Sequence, residues 1–411
     1  MERLLGVALL LGPALYAGVW AWLRGGISSP NETSPPSSLS KKEGGLAFSS
    51  TLELKASPPS LLERGLGGEA NAEGYPLFSV LIAARDEAAA LPHLLQALRN
   101  QSLPPRSFEV LIADDHSADG TAALVRAATK SAPFALRLIA LSPGHTGKKA
   151  ALTAAEAQAR APWVVCTDAD CRPGPGWLRA YADLLRAQPA LHFVSGPVRL
   201  TPGGAWFDGL LGLEFAGLGG VGAGCIGRGR PTMCNGANLA FRRSTFRVVG
   251  GYLDNQGIAS GDDEFLLHKM HQRHPAGIRF LAAPEAVVDT PAPATLRALL
   301  RQRVRWASKY PHYRTAAPRQ LALLVLGTNL SLAAGLGLAL VRPALWPWVG
   351  AAWALKLSAD AWLLWPFLTL LKRRRWLAWL LPLQLLYAPY ALAVGLAARR
   401  GRYAWKGRQV R

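Results

Sequence analysis

Cysteine is scarce in this 411-residue chain: there are four, alongside only three methionines. Cys166, Cys171, Cys225 and Cys234 form no CxxC pair, so the spacing of a structural zinc site is absent, and four thiols are too few for a disulfide scaffold. Charge is also low, at 18% against about 25% in an ordinary soluble domain. Acids are the rarer sign, with 26 Asp and Glu against 46 Lys and Arg. Apolar surface takes the place of charge: half of the residues are hydrophobic and mean hydropathy is +0.14. That excludes a wholly disordered chain and points to a membrane component.

A net charge of +20 would suit a nucleic-acid partner, but the distribution argues against one. Residues 320–411 hold twelve basic groups and one acid, and these border apolar runs. Lys and Arg flanking such runs are juxtamembrane anchors, and no basic groove interleaved with aromatics is visible.

Residues 4–23 form an uncharged apolar run ending in Trp20 and Trp22, long enough to span as a helix and lacking a clear cleavage site. Residues 1–24 therefore read as an N-terminal transmembrane anchor. Residues 25–75, rich in Ser, Pro and Gly, cannot offset their ordering entropy by burial and read as a flexible linker. Residues 76–318 read as a catalytic domain. Residues 319–398 read as three transmembrane segments, about 321–341, 345–371 and 376–398, followed by a basic tail over 399–411. Lys372–Arg375, with Arg314 and Arg319, places residues 24–319 in the cytoplasm by the positive-inside rule, making this a multi-pass inner-membrane protein. One conflict follows. Three C-terminal spans would put a wholly basic tail outside, unless the last segment, with Pro382 and Pro389, does not fully cross.

Within 76–318, short apolar runs (78–84, 108–113, 134–141, 163–167) alternate with helical stretches (88–100, 121–130, 149–159). That pattern predicts βαβ units and a parallel sheet, whose ligands bind outside the carboxyl ends of the strands. Those ends carry Arg85-Asp86-Glu87, Asp114-Asp115 and Asp168-Ala169-Asp170. The Gly-rich stretch 217–229 reads as loop.

Two carboxylates separated by one residue at a strand end, Asp168 and Asp170, can share one Mg²⁺ or Mn²⁺. Asp114 and Asp115 are placed to accept hydrogen bonds from a base or ribose, and Arg85 and Glu87 sit on the same rim. Asn235 and Gly236 suit a tight loop beside a substrate. Asp262 and Asp263 open a helix, where acids are favoured by its dipole, and either could act as a general base. Gln302, Arg305 and Trp306 share one helix face and could clamp phosphate oxygens and a sugar. The same helix also reads as a basic amphipathic helix on anionic lipid, carrying Arg297, Arg301, Arg303 and Lys309. Lys356 and Asp360, four residues apart in an apolar segment, are either a mutually neutralising pair or a contact to the head of a lipid acceptor.

Taken in order, SVLIAARDE, EVLIADDHSADGT, the Asp168–Asp170 triplet, CNGANLAFRRSTFRVVGGY, SGDDEFL and QRVRW resemble the membrane-bound family 2 glycosyltransferases over about residues 77–310. The resemblance implies a GT-A fold, Rossmann-like with a mostly parallel α/β sheet, carrying an N-terminal anchor and C-terminal membrane helices. It implies nucleotide contacts at Arg85, Glu87, Asp114 and Asp115, a metal and diphosphate site at Asp168 and Asp170, and a base at Asp262, favoured over Asp263. Gln302, Arg305 and Trp306 correspond to the acceptor and diphosphate clamp. Three family positions differ here: Ala83, Asp86 and Gly261 stand for Pro, Asn and Glu. The expected activity is inverting transfer of a sugar from a nucleotide-diphosphate donor, a UDP-sugar, to a membrane-associated lipid acceptor. The competing expectations are a processive polysaccharide synthase and a catalytically inactive membrane scaffold.

Overall fold

The computed structural model describes residues 2–27, 75–204, 206–253, 261–309, 312–313, 315–398, 403–405 and 408–410. The linker expected over 25–75 and the basic tail fall almost wholly outside these residues.

Strands form where the sequence offers short apolar runs. β1 (Phe78–Ala84), β2 (Phe108–Asp114), β3 (Ala135–Ala140) and β4 (Trp163–Cys166) alternate with helices α2 (Leu91–Arg99), α3 (Thr121–Thr129) and α4 (Lys148–Gln158). After β5 (Arg172–Pro173) and α5 (Trp177–Ala187) come β6 (Phe193–Ser195), β7 (Val198–Thr201) and α6 (Asp208–Gly227). β8 (Leu239–Arg242), α7 (Arg243–Val248), α8 (Asp262–Arg273), β9 (Ile278–Phe280), β10 (Val288–Pro291) and α9 (Leu296–Ala307) complete the domain. The main sheet has seven strands in the order β3-β2-β1-β4-β8-β6-β9, parallel except that β8 runs against both neighbours. Both faces are covered. Phe78, Val80 and Ile82 of β1 enter one apolar layer while Leu81 enters the other, the period-two alternation of a sandwiched strand. In register, Ala84 pairs with Asp114 and Leu81 with Cys166. The carboxyl ends of β1, β2 and β4 therefore open at one edge, which gathers the acids there.

Gly217–Gly229 is helix rather than the expected loop: it is the C-terminal half of α6 and the turn after it. The glycines are there for close approach. A Cβ on Gly219 would stand 2.7 Å from the Phe367 ring, and one on Gly224 would stand 2.7 Å from the Leu23 carbonyl oxygen. Small residues that let helices meet backbone to backbone are a membrane-protein device.

Among the described residues four helical stretches are long and apolar enough to cross a membrane: Glu2–Arg24 (α1), α6, Ala317–Val341 (α10) and Arg374–Ala398, whose α-helical part is Leu380–Ala398 (α12). Trp346–Leu370 (α11) is as long as α10, although Lys356 and Asp360 interrupt it. Packing sorts these helices. α1 and α11 run side by side in the same direction: Gly6 faces Trp348, the Tyr16 hydroxyl donates to Asp360 Oδ1 at 2.5 Å, and Arg24 donates to the Trp362 carbonyl. α10 returns against them, with Leu321, Leu324 and Val325 near Tyr16 and Trp20, and Gly335 near Leu9 and Val349. α6 meets α1 at Leu23 and α11 at Phe367, and its Gly212 packs on Trp376 in the turn before α12. α12 packs on α10 and α11 as well as on the catalytic side. It begins beside Trp376 and Leu371, its Tyr390 hydroxyl donates to Glu214 on α6 at 3.1 Å, and it packs along α9. The strand 403–405, five residues beyond α12, touches α9 as well. The turn at the opposite end, Pro343–Leu345, packs on α1, α10 and α11 instead. α1, α10 and α11 thus pack side by side, and α6 and α12 pack between them and the catalytic domain, with Gln384 of α12 reaching Lys356 within α11.

Candidate active site

A cavity of about 860 Å³ is lined by Arg85, Glu87, Asp115, Lys148, Asp168, Asp170, Asn235, Gly236, Asp262, Asp263, Gln302, Arg305 and Trp306. Segments far apart in sequence thus meet at one site. Asp114 is the exception. It is buried at the end of β2, outside the lining, and its Oδ1 has no hydrogen-bond partner.

The rim is pinned by its own polar side chains. Asp86 and His116 both adopt positive φ (51° and 57°), so the loops after β1 and β2 turn sharply. Asp86 Oδ1 accepts from Ala118 N (2.8 Å), Asp119 Oδ2 from Ala88 N (2.9 Å), and Thr121 Oγ1 from Glu87 N (2.8 Å). Arg85 Nη1 donates to the Asp115 carbonyl (2.8 Å), and Asp115 Oδ2 accepts from Gly147 N (3.0 Å). Asp115 therefore fixes the turn that launches α4.

That turn delivers a residue the sequence reasoning missed. Lys148 Nζ lies 2.6 Å from Asp168 Oδ1 and 3.4 Å from Asp262 Oδ2. Burial alone would lower its pKa, but Asp168 and Asp262 outweigh burial and hold it well above the ordinary lysine value. A signal was present. Two lysines open α4, where the helix dipole disfavours cations, and such a misplacement asks for an acidic or anionic partner. Lys149, beside it, is lowered by burial to about 8.

Asp168, Asp170 and Cys171 place one ligand atom each within 4.8 Å of one another. Burial pushes the Cys171 thiol well above its ordinary value, with Asp168 and Asp170 adding to it, so it stays a neutral soft group. The two carboxylates are hard oxygen donors that fit Mg²⁺ or Mn²⁺, with room on the cavity side for substrate oxygens.

The two acids opening α8 differ. Burial would raise Asp262, but Lys148 and Lys149 outweigh it and keep it below the ordinary carboxylate value. Asp263 is pushed up to about 6, chiefly by burial, with Asp262 and Glu264 adding and Lys309 and Lys148 opposing. Asp263 Oδ2 accepts from Gly236 N (2.8 Å) and Oδ1 from Glu264 N (2.8 Å).

The loop carrying Asn235 and Gly236 hangs on Asn238, which is fully buried. Its Oδ1 accepts from Trp177 Nε1 (2.8 Å) and the Tyr181 hydroxyl (2.9 Å). Its Nδ2 donates to the carbonyls of Pro197 and Ala286, both at 2.8 Å. Asn238→Leu strands all four partners and is expected to cost about 2–4 kcal/mol. Thermal melting checks this, and an unchanged Tm would contradict the hub role.

α9 is not simply a lipid-facing basic helix. Arg297 and Arg301 are exposed, but Arg303 and Lys309 are buried and paired, Lys309 with Glu264 at 2.9 Å. The Arg305 side chain lines the cavity with no ion-pair or hydrogen-bond partner among the described residues. It is a cation available to a ligand. The cavity continues between the membrane helices to Tyr16, Asn329, Lys356 and Asp360. Lys356 is paired there: Nζ lies 2.6 Å from Asp360 Oδ2 and 2.5 Å from Gln384 Oε1. This is the mutually neutralising arrangement.

Residues 79–248 match the family model for glycosyl transferase family 2. The poly-beta-1,6-N-acetyl-D-glucosamine synthase of Staphylococcus aureus is 29% identical over 204 residues, covering 48% of this chain and 46% of its own. That of Staphylococcus epidermidis is 26% identical over 234 residues, covering 56% and 53%. The chain thus spans about half the length of the curated relatives it matches. A mannosyltransferase from Pyrobaculum calidifontis, solved with GDP-Man and Mn²⁺, superposes with a TM-score of 0.55 over 96% of this chain and 99% of that one, at 19% identity, a likeness of fold. With the strand order and the acids at the strand ends, these matches identify residues 79–248 as a family 2 glycosyltransferase domain of the GT-A fold, borne by a membrane protein.

Proposed function

We propose that this chain transfers a sugar, with inversion, from a nucleoside-diphosphate donor to a lipid acceptor held at the membrane. The observation that carries the reading is the single cavity that joins the acidic rim to the interior of the helix bundle. Towards the membrane its walls are mainly apolar, with Trp20, Leu213, Leu321, Val325, Leu363 and Phe367 among them. A donor reaching the rim and an acceptor reaching the bundle would meet beside α8.

In that mechanism Asp263, with a pKa near neutrality, takes the acceptor hydroxyl proton. The acceptor oxygen then bonds to the anomeric carbon as the bond from that carbon to the diphosphate oxygen breaks. Sequence position favours Asp262, but its contact with Lys148 makes it the weaker proton acceptor and suits it to hold that lysine in place. Lys148 and Arg305 offer positive charge to the departing diphosphate. Asp168 and Asp170 would hold a divalent cation, which when bound supplies further charge against that leaving group. Arg85 and Asp115 shape the nucleotide end. UDP-sugar is the donor class proposed, in line with the N-acetylglucosamine polymer named for the curated relatives.

The cytoplasmic orientation rests on charge. Arg24, Arg228, Arg230, Arg319 and Lys372–Arg375 lie at the catalytic end of the bundle, whereas the opposite end carries Arg3 and Arg342. We place that end in the cytoplasm and the bundle in the inner membrane.

The test is a panel of UDP- and GDP-sugars with Mg²⁺ or Mn²⁺, reading released nucleoside diphosphate with and without extracted lipids. Lipid-stimulated release is expected. Release that never responds to lipid would overturn the lipid acceptor. A second reading, a processive polysaccharide synthase, is favoured by the named activity of the Staphylococcus relatives. A ladder of polymer on a gel in place of one glycolipid would select it.

A further inference from the structure

One buried polar cluster beside the site is unused by the mechanism above. Arg303 is 4% exposed and faces Glu214 of α6 through one guanidinium edge: Nε donates to Oε1 at 3.0 Å and Nη2 to Oε2. The Tyr390 hydroxyl on α12 donates to the same Oε1 at 3.1 Å. Arg303 Nη1 donates to Gln302 Oε1 at 2.6 Å, and the guanidinium carbon sits 4.3 Å from the centre of the Trp306 ring. Phe215, next to Glu214, meets that ring as well, at 6.2 Å between centroids.

Arg303 thus holds both neighbours that the clamp needs. With its oxygen held by Arg303, the Gln302 amide is fixed in orientation and its N–H groups are free to be offered to a ligand. With one face against the guanidinium, Trp306 has the other to present to the cavity. Glu214 fixes the fork in its plane by a bidentate pair, the geometry that Arg makes and Lys cannot. Because Glu214 and Tyr390 lie on α6 and α12, two helical stretches long and apolar enough to cross a membrane, the clamp is held from the apolar helices.

We propose that Glu214, Arg303 and Tyr390 are positioning residues that orient Gln302 and Trp306 towards the sugar and acceptor, so that transfer depends on how α6 and α12 seat on α9. This rests on the glycosyltransferase reading.

The experiment uses the full chain in lipid nanodiscs and compares wild type with Arg303→Lys, Tyr390→Phe and the exchanged pair Glu214→Arg/Arg303→Glu. Arg303→Lys keeps the ion pair but loses the fork to Gln302 and the stacked plane. Its kcat for transfer is expected to fall about 10²-fold, as for a displaced positioning group, while donor KM stays within about threefold and the loss of the buried fork lowers Tm by only a few degrees. The exchanged pair is expected to melt like wild type and still fail in transfer. Tyr390→Phe should lower kcat by about threefold, the loss of one neutral hydrogen bond. Wild-type kcat in Arg303→Lys, or restored transfer in the exchanged pair, would show the cluster to be a packing element only. Release of nucleoside diphosphate from no sugar donor by wild type would instead sink the glycosyltransferase reading itself, so the two failures are distinct.

Discussion

Asp263→Asn is expected to lower kcat by about 10²–10⁴-fold, the range for loss of a positioned general base, while nucleotide affinity stays within about twofold. The amide is isosteric; its one oxygen can still accept from Gly236 N, which holds the loop, while the bond from Glu264 N at the helix start is given up. The pH dependence separates the two candidate acids. Asp263 must be ionised to accept a proton, and its carboxyl is raised to about 6. The kcat/KM of wild type should therefore be level above that pH and fall about tenfold per unit below it. Asp262 is held below the ordinary carboxylate value by Lys148 and Lys149, so a base there would put the limb well to the acid side of the one expected for Asp263. Asp262→Asn should act differently again. It removes one of the two acids beside Lys148, and we expect a weaker grip on the diphosphate, read as a raised donor KM with the acid limb intact. If Asp262→Asn erased the limb while Asp263→Asn left it in place, the two roles would have to be exchanged.

These outcomes bear on what a sequence can disclose. The strands β1 to β4 were legible because each is a short apolar run between turn residues, and the register of a parallel sheet then put 85, 115 and 168 at one edge without further information. The pairing of Lys148 with Asp168 and Asp262 was not legible, since it depends on where the turn at Gly147 points, and Asp115 fixes that turn from 32 residues away. The choice between Asp262 and Asp263 was hidden for a similar reason. Adjacent residues at a helix start look alike in sequence, yet one faces two lysines and the other is buried against backbone amides. α6 was misread because glycine breaks an isolated helix, whereas here it is what lets the helix approach Leu23 and Phe367. The contacts of α12 with the catalytic side, through Tyr390 and the strand after it, were not legible either, because length and hydropathy say only what could cross a bilayer.

Chelation of divalent cations is expected to abolish turnover, and Asp170→Asn to lower it by about 10²–10³-fold at saturating donor, the scale for losing electrostatic support of a leaving group. Asp170 is the cleaner probe of the pair. Asp168 also holds Lys148 at 2.6 Å, so its substitution frees a cation and disturbs α8 together with the metal site. Cys171 Sγ approaches Asp170 Oδ1 at 3.7 Å. The chemistry of the donor set predicts the ion preference as well. Two carboxylates and substrate oxygens favour Mg²⁺ and Mn²⁺, whereas a thiolate in the set would bring in Zn²⁺. The Cys171 thiol, kept protonated chiefly by burial, should stay out of the coordination, so Cys171→Ser is expected to leave turnover and Mn²⁺ affinity within about threefold. Mn²⁺ titration followed by electron paramagnetic resonance, with UDP present, reads the site without relying on catalysis. Asp170→Asn should weaken that binding by at least about tenfold. Unaltered Mn²⁺ affinity in Asp170→Asn, or full turnover in chelator, would move the leaving-group charge from Asp168 and Asp170 onto Lys148 and Arg305 alone.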